Sequence, residues 1–224
     1  MNRPFAKKGA FFLVIPFATM LSVVSVPLPA VADVEIKFSD YLGNIMDEIT
    51  YHEKKREKSF REFHAEGSRS DARARRFSYR NHRIPGWANE ALIPDFDDFD
   101  VPSLIKAMME KGVKEANPKF DGTITVNVGT LRLVNFPFMK INSSRTRMVG
   151  DVLVKNADGD VTAEHHIVAY LSSRYSRSRF YDGPEYVYQI AAANTRIGPI
   201  AAKFTEKALE KIFPDYDAPG PYFM

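Results

Sequence analysis

The 224-residue chain has no cysteine and a single Trp. The missing thiol excludes a disulfide framework, a thiolate metal site, a Cys nucleophile and a lipid-modified N-terminal Cys. Charge of one sign is also scarce. There are 31 Lys and Arg against 28 Asp and Glu, and setting aside Arg3, Lys7 and Lys8, which belong to the N-terminal segment discussed next, leaves the remainder formally neutral. A basic field of the kind that binds nucleic acid is therefore not implied, and no nucleic-acid partner is expected. Motifs are missing as well. No G-x-S-x-G, H-E-x-x-H, Gly-rich phosphate loop or dinucleotide fingerprint occurs, so neither a catalytic residue nor a cofactor is assigned.

Long apolar runs are confined to one place. After the three bases, residues 9 to 26 are uncharged and apolar, followed by Pro27, Pro29 and the small residues Ala30 and Ala32 before Asp33. This is the layout of a secretory signal with an A-x-A cleavage site, residues 1–32, ending at Ala30, Ala32 and Asp33. The expected address is the periplasm or the exterior, with no transmembrane segment after cleavage.

What is present is 45 % hydrophobic residues with 17 Phe and 10 Tyr, enough for a core. Tyr41, Leu42, Ile45, Met46 and Ile49 recur at helical spacing behind Ser39, so a helix is expected over residues 39 to 65. Its apolar stripe stops at the charged run 52–58, leaving that half solvated or dependent on docking by Phe60 and Phe63. A basic stretch follows, with Arg69, Arg73, Arg75, Arg76, Arg80 and Arg83 among Phe77 and Tyr79. Such a composition grips anions, and in an exported protein these are an envelope protein's acidic face, anionic lipid or lipopolysaccharide. A solvated loop has the same composition. Arg174, Arg177 and Arg179 form a second basic set. Asp95, Asp97, Asp98 and Asp100 offer oxygen ligands to a hard cation such as calcium, but acids before Pro102 also suit a helix start.

Leu104, Ile105, Met108, Met109 and Val113 predict a helix over 102–116. Alternation then predicts strands over 123–135, with a bulge at Gly129, over 145–155 and over 161–172, the last two joined by a turn at 156–160. In the third strand His165 falls on the apolar face, while Glu164 and His166 face the other way, so the two histidines do not share a metal. Residues 184–213 read as one helical stripe that Gly198-Pro199 kinks or splits. The fold class is α+β: a three- to four-stranded antiparallel meander packed against two helices, with an N-terminal helical arm. The expected divisions are the signal (1–32), the arm with its Arg-rich loop (33–94), the α+β domain (95–213) and a Pro-rich extended tail (214–224).

The order of helix, bulged strand, hairpin at Asp158-Gly159 and closing helix resembles the small periplasmic domain of outer-membrane assembly and ABC-transport auxiliary lipoproteins, the group containing LptE. The resemblance covers residues 95–213 and carries over no functional residue. Those proteins are anchored through a lipidated Cys that this chain lacks. It implies a non-catalytic protein that binds another cell-envelope component. The alternative is a periplasmic small-ligand or metal-binding protein, or an unfamiliar hydrolase, with a pocket between sheet and helices.

Overall fold

A computed structural model describes residues 33–70, 88–134, 145–171, 186–188 and 197–223. Its centre is a sheet in which β2 (Thr123–Arg132), β3 (Arg147–Lys155) and β4 (Val161–Tyr170) form the expected antiparallel meander. Because side chains alternate along a strand, one face collects Ile124, Val126, Val128, Met148, Val152, Ile167 and Ala169, all buried. The β2–β3 register shifts between Val128 and Thr130, leaving Gly129 unpaired, which is the phase change visible in the sequence. In the β3–β4 turn the Asn156 side chain accepts the Asp160 amide at 2.9 Å, and Gly159 sits at φ 88, a conformation that an L side chain would strain.

The fourth strand, β1 (Asp33–Phe38), lies parallel to β2, with Asp33 opposite Thr123 and Phe38 opposite Val128. The order is β1-β2-β3-β4, so the meander gains one parallel edge and the sheet is mixed. Residues grouped by sequence into an arm thus supply a strand to the sheet, and Val34 is buried in the core.

Helix α1 (Asp40–Ser70) follows, then the short α2 (Ala88–Leu92) and α3 (Val101–Ala116). Asp100 caps α3: its carboxylate accepts the Ser103 amide at 2.6 Å, Pro102 sits in the first turn where no amide is needed, and the Asn117 amide bonds Val113 at the far end. Leu104, Ile105, Met108, Met109 and Val113 are wholly buried, as their spacing requires. Helix α4 (Ile197–Ile212) buries Ile200, Ala201, Phe204, Ala208 and Leu209. Helices α3 and α4 pack on each other and on the apolar face of the sheet.

The stripe read across residues 184–213 is corrected at its first part. Helix α4 begins at Ile197, with Gly198 and Pro199 in its first turn, where proline costs no hydrogen bond. Residues Tyr186–Tyr188 form strand β5, paired in parallel with β6 (Pro221–Phe223) in the tail. The β-preferring Tyr-Val-Tyr gains its partner from residues distant in sequence, which local spacing does not reveal.

Candidate functional site

The buried stripe of α1 runs Leu42, Met46, Glu53, Glu57, with Ile49 half-buried between them. The spacing stays helical, but the chemistry changes from apolar to acidic. Glu53 is 1 % exposed and Glu57 is 0 % exposed, so both carboxylates must be answered inside the protein. They are. Glu57 Oε1 accepts Arg61 Nε at 3.0 Å, and its Oε2 accepts the Asn89 side-chain amide at 3.0 Å. Asn89 Oδ1 in turn accepts the Tyr188 hydroxyl at 3.2 Å. Glu53 accepts from Arg56 through one oxygen and, through the other, from the Ile197 amide at 3.4 Å, where the first turn of α4 favours an anion.

The bases extend this network outward. Arg61 donates from its remaining nitrogens to the carbonyls of Ile93 (2.8 Å) and Pro94 (3.1 Å), and its guanidinium lies 5.8 and 5.9 Å from the rings of Phe96 and Phe99. Its planar fork suits three acceptors at once. Lys54 donates to the Asp97 carbonyl at 2.8 Å, 5.2 Å from the Phe96 ring centre. A Cβ on Gly198 would come within 2.6 Å of Asn89 Oδ1 and 2.8 Å of the Tyr188 ring, so only glycine lets α4 approach this closely. Burial holds the Tyr188 phenol well above its ordinary pKa, so it remains a donor across neutral pH. The named acceptors are filled from within. The arrangement can lock α1 to α2, β5 and α4.

The charged half of α1 was expected to be solvated or docked through Phe60 and Phe63, whose side chains lie outside those described. Instead Glu53 and Glu57 are core residues. The available signal was their continuation of the Leu42, Met46 register, with Arg56 and Arg61 three and four residues on.

Other sequence candidates separate. Asp95 accepts the Asp97 amide in a turn (2.9 Å) and Asp100 is the α3 cap, so two of the four clustered acids have local duties. Among the described residues no group of three or more His, Asp or Glu stands close enough to hold a metal. His165 faces Val152 on the helix side, whereas His166 lies on the opposite face and donates to Asp151 at 2.6 Å. Asp33 opens β1. Ala30, Ala32, Arg73, Arg75, Arg76, Phe77, Tyr79, Arg80, Arg83, Arg174, Arg177 and Arg179 lie outside the described residues, and Arg69 falls in the last turns of α1. No helix among the described residues is long and apolar enough to cross a membrane.

The sheet face away from the helices carries both buried and exposed groups. Thr125 on it is buried, hydrogen-bonded to Glu35, but Glu35, Lys37, Asp151, Glu164 and His166 stand exposed or nearly half-exposed. Between them Val149 and Val168, directly opposite, and Leu153 are half-buried, and Tyr170, opposite Arg147, is 43 % exposed. The Lys37 ammonium beside Glu35 holds that carboxyl below its ordinary pKa. On edge strand β4, Lys207 of α4 donates to the Val168 carbonyl at 2.8 Å.

At the tail, Tyr216 donates to Glu115 at 3.0 Å, and burial together with that carboxylate pushes its pKa up to about 12. Among the described residues, Arg147 Nε, Tyr186 OH, Thr205 Oγ1 and Glu206 Oε2 are buried without a hydrogen-bond partner. Glu206 pairs with Lys203 through its other oxygen, and burial raises its pKa. Compared with known proteins, the chain matches no family model, and no curated protein or solved structure is significantly similar to it.

Proposed function

We propose that the chain is a non-catalytic exported protein, periplasmic or secreted, that binds another component of the cell envelope. The observation that supports this reading is the open face of the sheet. A ladder fixes its shape, half-buried Val149, Leu153 and Val168 form an apolar seam interrupted by the Asp151–His166 pair, and Tyr170 adds an exposed ring with a polar tip. Charged groups of both signs border the seam, which suits a protein surface with mixed chemistry. The buried acids are committed to holding α1, so they support an architectural role. The Arg-rich stretch after Arg69 adds an attraction for an acidic protein face, anionic lipid or lipopolysaccharide, and the role accords with the resemblance to envelope auxiliary lipoproteins.

The test uses residues 33–224 as bait in envelope extract, eluted across a salt gradient and identified by mass spectrometry. One recurrent component is expected, released as salt rises. Capture should fall in a Val149→Lys, Tyr170→Ser variant and in an Arg73→Ser, Arg75→Ser, Arg76→Ser variant, with circular dichroism unchanged. Undiminished capture by both would overturn the reading.

A further inference from the structure

Strand β1 begins where the expected cleavage site ends. Asp33 is already in the ladder opposite Thr123, and the register holds to Phe38. Val34 is 1 % exposed in the core, Ile36 and Phe38 pack against it, and the Ser39 amide bonds the Val128 carbonyl at 3.0 Å. The A-x-A pattern of Ala30 and Ala32 places the scissile bond between Ala32 and Asp33, directly before the first paired residue.

A peptidase holds its substrate extended on both sides of the bond, and an extended residue advances only about 3.3 to 3.6 Å. Its cleft therefore requires Asp33 and Val34. The folded sheet requires them too, and the Val34 side chain cannot occupy the core and a peptidase subsite together. On the reading that the protein is exported, we infer that cleavage after Ala32 precedes the docking of β1. The fourth strand closes onto β2 on the cut chain, and a precursor that folds first resists processing.

The pairing has the character of a late step. β1 is an edge strand held on one side, and it joins β2 across a separation of 90 residues, as between Glu35 and Thr125. Cutting the folded precursor would have to proceed through the fraction of molecules in which β1 has opened, and the rate falls with that fraction.

The test follows cleavage of the full-length precursor, folded in detergent micelles, by a bacterial signal peptidase, with mass spectrometry of the product beginning at Asp33. Two variants free the bond. One inserts Asp-Val-Gly-Ser-Gly-Ser between Ala32 and Asp33, keeping the residues that flank the bond while moving it away from the sheet. The other, Ile36→Asp, undocks β1 without altering those flanking residues. A peptide of residues 22–42, which has no β2 to pair with, sets the unhindered rate. The folded precursor should be cut about tenfold or more slowly than the peptide and both variants. Equal rates for folded precursor, variants and peptide would overturn the inferred order. A peptide left uncut after Ala32 would overturn the export signal itself, and the order with it.

Discussion

In the first half of α1 the residues facing the core are Leu42 and Met46; in the second half, on the same stripe, they are Glu53 and Glu57. The apolar half is held by exclusion from water, which is indifferent to direction. The acidic half is held by hydrogen bonds with fixed partners: Arg61, Asn89, Arg56 and the Ile197 amide. Burial alone tolerates small rotations of a helix. A carboxylate gripped from two sides does not, so the second half sets the angle and register at which α1 lies against α2 and α4. The difference teaches that a charged run in a helix can be its most specifically packed part.

The strongest way to break this comparison is to remove one partner from the acidic half. Glu57→Ala takes the carboxylate acceptor from Arg61 Nε and from the Asn89 amide, and should cost about 3–5 kcal/mol in denaturant unfolding. Met46→Ala removes only apolar contact and leaves a cavity, costing about 2–3 kcal/mol by the same measurement. If Met46→Ala proves the costlier, hydrogen bonding is not what holds the second half. Gly198→Ala tests the closeness of α4 to Asn89 and Tyr188, with a loss of about 1–3 kcal/mol expected from overpacking.

Glu206 gives the smallest and sharpest contrast, since one of its oxygens is buried without a partner. Burial raises its folded-state pKa above the ordinary 4.5. The proton is therefore held more tightly in the folded protein, so its contribution to stability is complete below pH 4.5 and is lost as pH rises through the folded value. Glu206→Gln should flatten the stability profile over that window while leaving stability at neutral pH equal or slightly higher. An unchanged slope would show that Lys203 compensates the carboxylate fully.

Legibility in the sequence followed the kind of force involved. Helix α3 was readable because its five core residues and its Asp100 cap are local. The bulge at Gly129 and the 156–160 turn were readable for the same reason. Strand β1 carries strict alternation, Val34, Ile36 and Phe38 against Asp33, Glu35 and Lys37, but its pairing with β2 is remote in sequence, so no local signal joins it to the sheet. β5 was hidden in a helical stripe because its partner is the tail. Glu53 and Glu57 were missed because hydropathy assigns acids to solvent, and only the identity of distant partners, Asn89 above all, reverses that.

The short pairing of β5 with β6 carries a consequence for the chain as a whole. The Tyr186 amide bonds the Gly220 carbonyl, and Tyr188 of the same strand reaches Asn89, which reaches Glu57. The tail and helix α1, far apart in sequence, thus meet through one chain of hydrogen bonds. Removing β6 would take away the backbone partner of the strand that carries Tyr188 to Asn89.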